Sequence, residues 1–196
     1  MNPRLQKQLE FIMEIDKLKH IFRRSKLMNR SRFENDAEHS WHLAVMAMLL
    51  EEYAGETELN RLRVLHMLLI HDLVEIDAGD TFAYDAQGHE DKQEREENAA
   101  RRLFFMLPPD QAEWIYGLWR EFEERQTPES RFAAALDRLQ PLIHNYYTEG
   151  ESWKLHGIRR QQVLDRNRHI AEGSPELWEL ARHLIEDAVR KGYLAE

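Results

Sequence analysis

The chain has 196 residues, 42% hydrophobic and 32% charged, with 27 Lys and Arg against 36 Asp and Glu, a formal net charge of −9, 10 histidines and no cysteine. That length suits a single domain over residues 1–196 whose core needs no covalent staples. The missing thiols exclude a disulfide framework, a thiolate zinc site, a cysteine nucleophile and an iron–sulfur cluster. The acidic balance argues against binding a nucleic acid polymer or an anionic membrane, yet leaves room for one small anion held by an arginine or two.

Apolar residues recur at three- and four-residue steps almost throughout, which predicts an all-α protein. The first helix follows Asn2-Pro3, with an apolar stripe of Leu5, Leu9, Ile12, Ile15 and Leu18. A basic, polar connection runs from Arg23 through Asn29 to Asn35. The second helix opens with Asn35 and Glu38 in capping-box spacing and ends near Gly55. A third, from about Glu58 to Glu75, is interrupted by the polar residues His66, His71 and Asp72. The turn Ile76 to Thr81 contains Gly79-Asp80, and the charged stretch Glu90 to Arg102 reads as a solvated face with Asp91–Arg95 and Glu97–Arg101 pairs. Helices are then expected after Pro108-Pro109, after Thr127-Pro128 with a kink at Pro141, from Arg159 to Ala171, and from Pro175 to Lys191. The start of the chain lacks the apolar core of a signal peptide, and the runs Ala44 to Leu50 and Met67 to Ile70 are too short to span a membrane. Cytoplasm is the expected location.

The informative residues are polar ones on helices that should be buried. Asp72 lies in the apolar run Leu65 to Glu75, where a carboxylate is costly unless paired or bound to metal. Glu75 falls on the same helix face, and the Gly79-Asp80 turn returns another carboxylate toward that end. His39, one turn into the second helix, and Asp137, beside Ala133-Ala134-Ala135, could complete a mixed nitrogen and oxygen set. Such a set suits one divalent cation (Mn, Co, Fe, Ni, Zn or Mg) that acidifies water. His66 and His42 are read as core residues.

The order His39 … His71-Asp72 … Asp137 resembles the signature of the HD phosphohydrolase superfamily. With Leu18-Lys19 … Arg23, Ala37 to Trp41, Glu75 and Gly79-Asp80, the chain is similar to the branch containing the bacterial 5′-deoxynucleotidase, over roughly residues 10–140. The resemblance implies a helical HD-domain bundle, often dimeric, that holds one divalent metal and hydrolyses phosphomonoesters of deoxynucleosides. Carried over by position, His39, His71, Asp72 and Asp137 are metal ligands, Glu75 and Asp80 the catalytic carboxylates, and Arg23 the phosphate-binding arginine. Where that branch has a tryptophan after the arginine, this chain reads Arg24-Ser25-Lys26-Leu27.

The expected activity is hydrolysis of a nucleoside 5′-monophosphate by a homodimer. Another phosphoester (a sugar phosphate, cyclic nucleotide or diphosphate) is the nearest rival, and a metal-stabilised ligand-binding module the more distant one. Which of Glu75 and Asp80 donates the proton is open at this point, as is the choice between Arg23 and Arg24 as the phosphate ligand.

Overall fold

A computed structural model describes residues 2–56, 58–85, 87–88 and 90–196. Helix α1 (Pro3–Ile15) leads through a 3₁₀ turn to a two-stranded antiparallel hairpin, β1 (Phe22–Lys26) and β2 (Phe33–Asn35). Then come α2 (Asp36–Leu50), α3 (Arg61–Ile70), a 3₁₀ turn (His71–Val74) and α4 (Glu75–Ala78). The second half holds α5 (Lys92–Phe104), α6 (Pro109–Glu124), α7 (Pro128–Tyr147), α8 (Glu151–Leu155), α9 (Arg160–Asn167), α10 (Ile170–Gly173) and α11 (Pro175–Arg190).

The helical bundle centres on α7, against which α2, α3, α6, α10 and α11 pack. Its core joins Leu43, Met67, Leu68, Phe132, Leu136, Leu139 and Ile185, all fully buried. Close approach of α10 to α7 depends on Gly173, where an added Cβ would meet the Arg131 carbonyl oxygen and the Ala135 methyl. The alanines at 133–135 leave the matching space on α7. Pro141 lies inside α7, and the helix continues through it to Tyr147. A second, smaller core gathers Phe11, Leu18, Leu73, Val74, Leu103, Phe104 and Trp119. His71 and Asp72 therefore sit where the chain passes from one core to the other.

Four expectations change, the first being the single helix expected from Arg159 to Ala171, which breaks after Asn167 into α9 and α10. The basic connection after α1 is the β-hairpin, with Arg23 and Glu34 turned inward and Arg24 outward by the strand period of two. The expected long third helix stops at Ile70 and tightens into a 3₁₀ turn. The apolar stripe of α1 faces outward: Leu5, Leu9 and Ile12 are exposed, while Phe11 and Leu18 make the buried contact. Polar ties set that rotation, because Arg4 pairs with Asp110, Gln8 with Gln111 and Glu14 with Arg102. Elsewhere the capping box at Asn35 and Glu38 forms, and both expected pairs along α5 are present. Among the described residues no helix is long and apolar enough to cross a membrane.

Candidate active site

Three elements deliver the candidate metal ligands. In α2 the Asn35 side chain accepts from the Glu38 N–H at 2.9 Å, which fixes the helix start and turns His39 inward one turn later. His71 and Asp72 open the 3₁₀ turn, and Asp137 comes from the buried face of α7. His39 Nε2 lies 3.0 Å from Asp137 Oδ1 and 3.8 Å from Asp72 Oδ2. His71 Nε2 lies 3.1 Å from Asp72 Oδ1 and 3.6 Å from Asp137 Oδ1. All four side chains expected from the sequence thus meet in one buried place.

The donor chemistry fits a cation. His71 Nδ1 donates to the Leu68 carbonyl at 2.9 Å, so Nε2 faces the cluster, where it is buried without a hydrogen-bond partner among the described residues. Burial disfavours an imidazolium at His71, but Asp72 and Asp137 outweigh that and push its pKa up to about 10. Burial likewise opposes charge on Asp137, yet Arg138 and the two histidines hold it well below the usual carboxylate range. The pocket stabilises positive charge between two ionised carboxylates, which a proton or a divalent metal can supply.

A second carboxylate group adjoins the first. The 3₁₀ turn repeats every three residues, so Asp72 and Glu75 stack, and Glu75 meets Asp36 from the first turn of α2. Burial, and then Asp72, Asp36 and Asp80, push the Glu75 carboxyl well above its ordinary pKa. Asp36 rises to about 7, through burial and Asp72. Glu75 and Asp36 therefore behave as a pair sharing a proton, which neither helix alone would suggest. Arg23 reaches in from β1, donating through Nη1 to Asp72 at 2.7 Å and Asp36 at 3.2 Å. Its Nε is buried and has no acceptor among the described residues. Arg24 is exposed on the rim of the same cleft.

That cleft has a volume of about 110 Å³, and its lining includes Arg23, Asp72, Glu75 and Asp80 together with Phe82, Tyr84 and Trp153. Gly79, at φ 75°, ends α4 and reverses the chain so that Asp80 faces the cleft. Burial raises the Asp80 pKa, against a downward pull from Arg23, Lys92 and Arg24. His66 stacks on Trp114, away from this group, as a packing residue.

Sequence reading missed Asp36, Gln140 and Glu34. Asp36 lies three residues before His39 and Gln140 three after Asp137, so helical spacing from the ligands was the available signal. Gln140 Oε1 lies 3.1 Å from His39 Nδ1, and its amide donates to Glu34 Oε1 at 2.7 Å. Holding the His39 proton on Nδ1 keeps Nε2 free for a metal. Gln140→Leu is expected to weaken divalent metal affinity by about 10- to 100-fold, measured by competition with a chelating dye. An unchanged affinity would remove Gln140 from the site.

The bundle and the buried His/Asp group define a helical metal-site protein of the HD type. The HD domain family model matches residues 15–178, and the chain belongs to that family. A crystal structure described as a predicted metal-dependent phosphohydrolase from Magnetospirillum magnetotacticum MS-1 superposes with a TM-score of 0.94 at 56% identity, covering 98% of this chain and 96% of that one. A conserved hypothetical protein from Pyrococcus furiosus has a TM-score of 0.65 at 25% identity, over 93% and 99% of the two chains. Human 5′-deoxynucleotidase HDDC2 is 31% identical over 136 residues, which is 69% of this chain and 65% of that protein. The chain thus matches just under two thirds of the human relative's length. The zebrafish (Danio rerio) protein of that name is 26% identical over 185 residues, 84% of this chain and 90% of its own.

Proposed function

We propose that the protein is a metal-dependent phosphohydrolase that cleaves nucleoside 5′-monophosphates, deoxynucleotides foremost, to nucleoside and phosphate. The observation that carries this reading is the pairing of a buried His39–His71–Asp72–Asp137 group with an arginine and two raised-pKa carboxyls on one cleft. The 5′-deoxynucleotidase relatives and the 56%-identical phosphohydrolase structure support the substrate and reaction class.

The four ligand side chains would hold one divalent cation, which supplies Lewis acidity and lowers the pKa of bound water. Arg23, which lines the cleft, would meet the phosphate with its guanidinium while remaining tied to Asp72 and Asp36. Glu75, the more strongly protonated carboxyl, would give its proton to the leaving 5′-oxygen as the P–O bond breaks. Asp80, beside Arg23, Arg24 and Lys92, would stay ionised and take a proton from the attacking water as the new P–O bond forms. Asp36 positions Glu75. The aromatic walls Phe82, Tyr84 and Trp153 would receive the nucleoside, in a chain with Arg24-Ser25 where the deoxynucleotidase branch has a tryptophan.

The test is phosphate release from a panel of nucleoside and sugar monophosphates with each divalent metal. The expected result is turnover that is fastest on deoxynucleoside 5′-monophosphates. Turnover confined to sugar phosphates would move the reading to its nearest rival, and none on any ester would sink it. The same reading places the enzyme in the cytoplasm as a homodimer. The exposed apolar residues Leu5, Leu9 and Ile12 of α1 and Trp41, Met48 and Leu49 of α2 offer surface for such an association.

A further inference from the structure

The cleft lined by Arg23 carries further positive charge that the acids of the fold only partly match. Arg138, next to Asp137 on α7, and Arg166 on α9 both line the cleft. The Nε atoms of both, with His169 Nε2, are buried and unpartnered among the described residues. The acid contact of Arg138 is Asp137 Oδ2 at 3.7 Å, on a carboxylate already facing His39 and His71. Arg166 makes no ion pair among the described residues. Burial, and then the nearby charge of Arg138, bring the Arg166 pKa down to about 10. Burial, Arg138 and Arg125 push His169 down to about 4, so at neutral pH it is an uncharged hydrogen-bonding group.

Two guanidinium groups sharing one part-buried wall repel, and the buried Nε of each has no acceptor among the described residues. The acids of the site cannot provide them. Asp72 and Asp137 together match the charge of one divalent cation, Asp80 lies near Arg23, and neither Glu75 nor Asp80 pairs with Arg138 or Arg166 among the described residues. Glu123 lines the same wall but pairs with neither arginine, and its own carboxyl is raised by burial and by Glu96. The arrangement calls for an anion from outside the chain, and a planar guanidinium pair is suited to phosphate.

We propose that Arg138 and Arg166, with His169 at their side, form a second anion subsite, and that the preferred substrate carries a second phosphate besides the ester that is cleaved. The chemical class is a nucleoside bisphosphate, such as a 3′,5′-bisphosphate, from which the 5′-phosphate is hydrolysed while the other rests on the arginines. The placement supports one bridging molecule: Arg138 adjoins the ligand Asp137, and Tyr84 and Phe122 line both the catalytic cleft and the groove that runs on past His169. The proposal rests on the phosphohydrolase reading for the cleavage step, and on the unpartnered arginines for the subsite.

The experiment compares wild type with Arg166→Gln, and with Arg138→Gln in case the first variant folds poorly. The ratio of kcat/KM for the 3′,5′-bisphosphate to that for the 5′-monophosphate is expected to be at least about tenfold in wild type and near one in the variant. The same ratio in both proteins would overturn the subsite. Calorimetry on the metal-free proteins with inorganic phosphate, the monophosphate and the bisphosphate gives a readout apart from turnover. There the bisphosphate should bind wild type about tenfold more tightly than the monophosphate and lose that advantage in the variant. If Arg166→Gln weakens only inorganic phosphate, the site takes a free anion and the substrate class is wrong. If neither ester turns over, the phosphohydrolase reading fails while the calorimetric difference still judges the subsite.

Discussion

Asp72→Asn is expected to abolish stoichiometric metal binding and to lower phosphohydrolase activity by about 10³-fold or more, since a catalytic cation supplies several kcal/mol of transition-state stabilisation. The substitution keeps the shape of the side chain but removes the charge that faces His71 at 3.1 Å and Arg23 at 2.7 Å. A pH effect accompanies it. In the metal-free protein the His71 pKa is raised to about 10 from an ordinary 6.5, so its contribution to stability is fully present below 6.5 and lost as pH rises through about 10. A cation must displace that proton. Apparent metal affinity of the wild type should therefore climb with pH above neutrality, by about tenfold per unit for each proton released. Without the Asp72 charge the His71 pKa falls and the climb flattens. Metal titrations at several pH values measure this directly, and full activity with bound metal in Asp72→Asn would dismantle the proposed centre.

Glu75→Gln tests the acid. The variant should lose about 10²- to 10⁴-fold in kcat, the span of general acid–base catalysis, while its metal content stays at the wild-type level because Glu75 is not among the four ligands. The Glu75 carboxyl is raised by burial and by Asp72, Asp36 and Asp80, which favours the donating form and moves its loss to higher pH. Wild-type kcat should fall on that alkaline side, and the variant should lack the fall. Stability follows the same sign. A raised carboxyl stabilises the fold below its unfolded pKa and ceases to do so as pH passes the folded one. Glutamine keeps the contact to Asp36 without titrating, so metal-free Glu75→Gln should melt above wild type in alkaline buffer. Equal pH profiles for the two proteins would assign the proton to Asp80.

Composition and local pattern were enough to read the helical class, the capped start of α2 and the charged face of α5, and they singled out His39, His71, Asp72 and Asp137 as candidates that the resemblance to the HD signature joined into one set. These are decided by periodicity, by caps that act within one turn, and by polar residues standing out in apolar runs. The β-hairpin was hidden because its inward positions are Arg23 and Glu34, charged side chains buried only because partners from α2, the 3₁₀ turn and α7 meet them. An inward-facing charge looks like a loop until its partner is known. For the same reason the rotation of α1 onto Phe11 was not legible, being set by contacts to α5 and α6 about a hundred residues away.

By itself the sequence determined that any metal chemistry here uses nitrogen and oxygen ligands, because thiols are missing, and its net charge of −9 favours a small anion over a polyanion as the expected partner. Only the tertiary structure decided which charges are matched. It turned Arg23 inward and Arg24 outward through the strand period, joined Asp36 to Glu75 across two helices, and, among the described residues, left the Nε atoms of Arg138 and Arg166 without acceptors. Electrostatic pairing acts through space over a few ångströms, so a count of acids and bases along the chain gives their sum but not their arrangement.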